Sequence, residues 1–221
     1  MLGTDSFGRD VLSRVVYGTH VSLLVAGAAV LAGGGLGVAL GTVAGFYGGR
    51  LDDVLMRLAD IQLAFPFILL AISLLTVLGP GIGNLVLVLT LGNWVTFARV
   101  TRGQVLALRA REFVQAARAL GAGDARIIAR AILPNVVAAV IVVGSFSLAE
   151  LIIAQAALSF LGLGLPPTIP TWGGMLAEGR EYVLQSWWMG TSPGLAIMIT
   201  VRGINAVGDW VRDYLDPRID D

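Results

Sequence analysis

Few side chains in this sequence have the type and spacing that chemistry needs. The run GTDSFGRD, Gly3 to Asp10, has two glycines five apart and superficially resembles a phosphate-binding loop. Such a loop needs Lys and then Ser or Thr after its second glycine, to reach phosphate and magnesium. Arg9 and Asp10 stand there instead, and no strand precedes them, so nucleotide binding by this chain is rejected. Asp52, Asp53 and Asp60 gather beside Arg50 and Arg57. Asp53 and Arg57 are spaced to pair on a helix, and a solvated structural role is expected there rather than catalysis. His20 is the single histidine and there is no cysteine, so a metal site would need partners from elsewhere and a thiolate nucleophile is excluded. No metal-ligand spacing, carboxylate pair or Ser/His/Asp pattern stands out, so no catalytic, cofactor or metal residue is assigned. What remains is charge in unusual company. Glu150, with Gln155 five residues on, and Arg202 interrupt runs that are otherwise apolar.

The elements that position these residues follow from composition. The 221 residues are 56% hydrophobic and 14% charged, with a mean hydropathy of +0.82. Soluble domains carry roughly 25% charged residues. A membrane-spanning helix needs about 20 largely apolar residues, and five stretches supply them: about 21–46, 61–78, 82–98, 133–158 and 186–208. The second and third come from one uncharged run of 38 residues, 61–98, split at the turn signal Gly79-Pro80-Gly81. The expected fold is therefore an all-α, polytopic membrane protein, one domain over 1–221. The polar opening MLGTDSFGRDVLSR does not read as a secretory signal.

All 15 basic residues are arginine, and they set the orientation. With the N-terminus outside and the C-terminus inside, eleven fall inside and three outside, with Arg202 within the last span. That places 99–132 on the cytoplasmic side and 162–185 as the main outer loop. Trp172, Trp187 and Trp188 are expected near the outer interface and Trp210 near the inner one. Glu150 then lies deep in the fourth span. An ionisable group there is a functional candidate by default, so Glu150 and Gln155 are candidate polar residues of a translocation path, against a structural polar contact. Arg202 is expected to snorkel to the inner headgroups. In the first span Gly33, Gly37, Gly41, Gly45 and Gly49 recur every four residues, a spacing that lets helix backbones approach closely. Packing against a neighbouring span is the expected use, and contact with a second membrane subunit the alternative.

The segment REFVQAARALGAGDARIIARAILPN, Arg111 to Asn135, is out of place among these runs. Phe113, Ala116, Ala117 and Leu120 share one helix face, Gly121 follows as a helix stop, and Asp124 is placed to cap a second helix with Ile127, Ile128, Ala131 and Ile132 on its apolar face. Leu133-Pro134 is expected to end that helix and open the fourth span. The segment reads as helix, glycine turn, helix. It either lies on the inner leaflet or protrudes to dock with a partner.

This segment resembles the cytoplasmic signature of ABC-importer permeases: Glu-Ala-Ala, three residues, Gly, nine residues, Ile, any residue, Leu-Pro. Here Gln115-Ala116-Ala117, Gly121 and Leu133-Pro134 keep the spacing, while Gln115 replaces the Glu and Ala131 the Ile. The runs LGTDSFGRDVLSRVVYG, FYGGRLDDVLMRLADIQLAFP, SFLGLGLPP, WGGMLAEGR and GDWVRDYLDPR are similar to the dipeptide, oligopeptide and nickel branch of that family. The resemblance implies a type I ABC-importer permease fold and a transport subunit rather than an enzyme, in a bacterial or archaeal cell membrane. It implies a second permease subunit, two ABC ATPase subunits and an extracytoplasmic solute-binding protein as partners, with no nucleic acid and no cofactor. The ATPase-coupling residues it implies are Glu112, Gln115, Ala116, Ala117, Gly121, Asp124, Leu133 and Pro134. Such permeases ordinarily have six spans, and the chain begins where the first would have ended. An ATP-independent secondary transporter or small channel is the other reading. It leaves the helix-Gly-helix segment without a purpose, and no inverted repeat supports it.

Overall fold

A computed structural model describes residues 3–215. Arg218, counted above among the inner arginines, and the Asp216-Pro217-Arg218 end of the last motif lie outside the described residues. The elements are α1 (Val11–Tyr47), α2 (Gly49–Leu63), α3 (Phe67–Leu78), α4 (Ile82–Arg109), α5 (Glu112–Ala119), α6 (Asp124–Ile127), α7 (Leu133–Phe160), α8 (Trp172–Arg180) and α9 (Trp188–Leu215). A π-helical turn, Ile128–Ile132, joins α6 to α7.

By length and apolar content, α1, α4 and the run through α6 and α7 can cross a membrane, and α2 with α3 makes a fourth if that bent pair counts as one span. The expected spans change in three places. The helix that carries the first begins at Val11, because Asp10 caps α1 by accepting from the Ser13 N–H at 2.8 Å. The expected 61–78 span is broken. Pro66 supplies no N–H and disfavours helical backbone at Phe65, so α2 stops at Leu63 and α3 leaves at 87°. The expected 186–208 span becomes α9, a 28-residue helix whose composition falls short of the other three. Arg202, Asp209, Arg212 and Asp213 all lie on it.

The centre of the bundle is a parallel pairing of α1 with α4. Gly33 meets Thr90 and Asn93, Gly37 meets Trp94 and Phe97, Gly41 meets Ala98 and Thr101, and Gly45 meets Arg102 and Val105. A methyl group on Gly37 would lie 2.6 Å from the Phe97 Cβ, and one on Gly41 2.9 Å from the Thr101 Cβ. No side chain fits between these backbones. Gly49 is not part of the seam; it opens α2, and a side chain there would meet nothing within 4 Å. In a bilayer, where lipid is as apolar as leucine, such close packing is a main source of helix association.

Ion pairs tie the arginine-rich end together. Arg102 grips Asp52 through two hydrogen bonds of 2.5 and 2.6 Å, and Arg99 pairs with Asp60. Asp52 and Asp60 thus reach across to α4, and the expected Asp53–Arg57 pair is not among the ion pairs of the described residues. At the opposite end Trp172 is 1% exposed, and its indole N–H donates to the Val15 carbonyl at 3.1 Å. It is therefore a core residue rather than part of an interfacial belt, whereas Trp187 and Trp210 are exposed.

The Gly3–Asp10 run also finds a structural use. The Asp5 carboxylate, almost fully buried, accepts from the Phe7 N–H, the Arg9 N–H, the Arg9 Nε and the Arg14 Nη1 at 2.6–2.9 Å. Arg14 in turn makes a two-pronged pair with Glu178 of α8, at 2.6 and 3.0 Å. Burial raises the Asp5 pKa, but the hydrogen bonds and charge from Arg9 and the Phe7 N–H outweigh it, and the net shift is downward. A lowered folded pKa contributes stability above the unfolded value of about 3.9, lost as pH falls through the folded pKa. The thermal midpoint will therefore fall below about pH 4. Asp5→Asn will lower it at pH 7 and remove part of that acid dependence. Parallel acid profiles for the two proteins would show that Asp5 does not carry the effect.

Candidate functional site

The segment from Arg111 to Asn135 is built to hold one short helix against the ends of α1, α4 and α7 with its other face outward. α4 ends at Arg109, whose guanidinium turns back to the last turn of α1 and donates to the Gly45 and Phe46 carbonyls at 3.0 and 3.2 Å. α5 follows for two turns. Gly121 sits at φ +81°, and the Gly121 and Ala122 N–H groups donate back to Arg118 and Ala117 at 3.0 Å. That double closure is a Schellman stop, which a residue with a Cβ enters only with strain. The Gln115 side chain donates to the Ala110 carbonyl at 3.1 Å, holding the entry to the helix.

Two details of the expected second helix differ. Gly123 rather than Asp124 is its N-cap; Asp124 is the first helical residue, makes no side-chain cap and lies 3.9 Å from Arg118. Leu133-Pro134 does not end the helix. Pro134 has no N–H to give, so the chain widens into a π turn. There the Leu133 N–H reaches back five residues to Ile128, and the helix continues into α7. Asn135 donates its side-chain amide to the Ala131 carbonyl at 2.7 Å.

The faces of these helices decide what the segment can do. Val114, Ile127 and Ile132 are buried with Phe46, Val105 and Val136, and Ala117, Ile128 and Ala131 pack around them. The other face of α5 has no partner among the described residues: Phe113 is 47% exposed and Leu120 89%, with Ala116 between them. The four residues expected to form one apolar face are thus divided, Ala117 turning inward and Phe113, Ala116 and Leu120 outward. Glu112 stands in the first turn of α5, where a carboxylate suits the helix dipole.

Glu150 and Gln155 are not brought together. Five residues along a helix separate them by about 140° around the axis. Gln155 is 1% exposed and buried in the bundle, with neither side-chain amide atom hydrogen-bonded among the described residues. Glu150 is exposed on the opposite flank. A charge at the centre of a membrane helix costs about 3 kcal/mol by insertion scales, so Glu150 needs water or a partner on that flank. The Asp52–Arg102 grip, the Asp5–Arg14–Glu178 knot and the π turn were not found from sequence. Arg14 and Glu178 lie 164 positions apart, beyond any local periodicity.

Known proteins share this arrangement and show its family. Residues 37–221 match the family described as the binding-protein-dependent transport system inner membrane component. The chain belongs to that family. Across 219 residues the permease is 44% identical to a putative peptide transport system permease protein of Brucella suis, covering 99% of this chain and 74% of that one. It is 42% identical to the di/tripeptide transport system permease protein DppC of Pseudomonas aeruginosa, covering 99% and 72%. Its fold is similar to that of a chain from the MetNI methionine ABC transporter, a structure of that transporter's inward-facing conformations, with a TM-score of 0.76 at 19% identity over 93% of this chain and 97% of that one. It is thus an ABC-importer permease of the dipeptide/oligopeptide branch, a multi-pass membrane transport subunit and not a catalytic enzyme. Membership implies ATPase and binding-protein partners. None of these relatives supports the ATP-independent reading.

Proposed function

We propose that this permease carries di- or oligopeptides inward across the cytoplasmic membrane, paired with a second permease subunit and driven by two ATPase subunits that hydrolyse ATP. The exposed face of α5 carries this reading. Phe113, Ala116 and Leu120 form an apolar knob turned outward, while the opposite face is anchored on the bundle and a glycine stop fixes the end of the helix. A knob of that kind suits a cleft on a soluble partner, and burying each large side chain contributes roughly 2 kcal/mol. Glu112, Gln115, Ala116, Ala117, Gly121, Asp124, Leu133 and Pro134 then form the coupling segment. Closure of the ATPase pair moves it, and the unbroken run of α6, π turn and α7 passes that movement into the membrane helices.

The orientation has the N-terminus outside and the C-terminus inside, as the arginine asymmetry favours. The outer loop 162–185 then offers a surface to the solute-binding protein. Its tip exposes Tyr182, Val183 and Leu184, the last 94% exposed, beyond α8. Peptides are favoured over nickel because these relatives are peptide and di/tripeptide transport permeases. In liposomes holding the complete complex, uptake of labelled dialanine will require both ATP inside and the binding protein outside. Uptake that persists without ATP would overturn the reading.

A further inference from the structure

Glu150 and Arg202 share a depth in the bundle. Gly144 of α7 lies at the level of the Phe97 ring and Val30, 3.9–4.0 Å from its Cβ position. Phe97 is two residues before Arg99, the first charge of α4. At the other end Ala156 lies against Gly173 of α8. Glu150 is six residues from each, about 9 Å in either direction along the helix. α9 returns antiparallel: Gly190 lies against Gly179 of α8, and Gly208 against Ser145 and Phe146 of α7. Arg202 is six residues outward of Gly208, again about 9 Å, which brings it level with residue 151.

Both side chains are exposed on this chain, and neither is in an ion pair among the described residues. Snorkelling does not serve Arg202 well. The Cα–Cβ bond tilts toward a helix N-terminus, and on α9 that direction leads away from the inner headgroups. The same rule tilts Glu150 on α7 the opposite way. Two opposite charges at one depth thus lean apart along the membrane normal instead of neutralising one another. Intramembrane charges face a bundle interior or a water-filled path. A water-filled path between this chain and the proposed second permease subunit would meet that condition for both.

We propose that Glu150 and Arg202 read the two ends of a zwitterionic peptide in the translocation path, Glu150 receiving the α-ammonium and Arg202 the α-carboxylate. The inference rests on the peptide-permease reading. A short peptide with free termini carries both charges, and each loses water on entering the path. Charge-assisted hydrogen bonds replace that hydration, and a guanidinium can hold a carboxylate with two of them.

The test compares substrates within one reconstituted complex, so that the binding protein's own preference cancels from each mutant-to-wild-type ratio. Glu150→Gln will lower the ratio of dialanine to N-acetyl-dialanine uptake at least fivefold, and Glu150→Asp will restore most of it. Arg202→Gln will do the same to the ratio of dialanine to dialaninamide. Ratios within twofold of wild type in both variants, with ATPase co-purification intact, would overturn the site. So would recovery of wild-type uptake in the Glu150→Gln/Arg202→Gln double variant, since the two would then only neutralise each other. Loss of ATP dependence in the unsubstituted complex would instead sink the permease reading itself, a separately visible outcome.

Discussion

Gly37→Val will lower the thermal midpoint of the detergent-purified permease by roughly 6–12 °C, since overpacking of this kind costs about 3 kcal/mol. The reason is the parallel seam. The methyl position on Gly37 overlaps the Trp94 carbonyl and the Phe97 Cβ. Backbone cannot rotate away as a long side chain can, so α1 and α4 must separate. The disturbance will spread to Gly41 and Gly45, which meet Thr101 and Val105 on the same line. Gly35→Val is the control. A side chain there meets nothing within 4 Å, and valine is a slightly better helix former than glycine. An equal loss of stability in both variants would show that the seam is not the cause.

Leu120→Asp will cut the affinity of the permease for its ATPase subunits at least a hundredfold while leaving the bundle folded. Leu120 is 89% exposed on the chain, so the substitution removes no internal contact. In the proposed cleft it forfeits about 2 kcal/mol of apolar burial and places a carboxylate where hydration is lost, which adds a further 1–2 kcal/mol or so. Together these exceed the roughly 2.7 kcal/mol that a hundredfold change requires. Val114→Asp tests the other face. Val114 is buried with Ile127 and Ile132, so that change will unfold the segment and lower the thermal midpoint. ATPase pull-down beside a melting curve separates the two effects.

Gly121 shows how far sequence reading reached in this segment. Its place as a helix stop was legible from residue type and spacing. Why a side chain there would be strained was not. A Cβ on Gly121 meets nothing within 4 Å, so the constraint comes from the +81° backbone rather than from crowding. The apolar face of α5 was legible as a set, but its division was not: periodicity places residues on a face without saying what covers it. Val114, one position off the expected stripe, proved to be the buried anchor because Phe46 and Ile132 approach from distant parts of the chain. The broken second span was written in Pro66, and composition alone hid it beneath an uncharged run. Positions 33, 37, 41 and 45 carried the glycine seam, yet the partner helix and its parallel direction came only from the fold. Asp52 with Arg102 and Arg14 with Glu178 lay beyond sequence reading, since both pairs join residues 50 or more positions apart.

The most direct test of the account asks what the exposed face of α5 touches. The chain has no native cysteine, so single substitutions give unambiguous cross-linking sites. In membranes that contain the assembled complex, Leu120→Cys and Phe113→Cys will cross-link to the ATPase subunits through a short thiol-to-amine reagent, and Val114→Cys, facing the bundle, will not. Strong cross-links from Leu120 and Phe113 together with silence at Val114 are the predicted result. Failure of both exposed positions to cross-link, while the ATPase subunits still co-purify, would contradict the claim that this helix couples the permease to ATP hydrolysis.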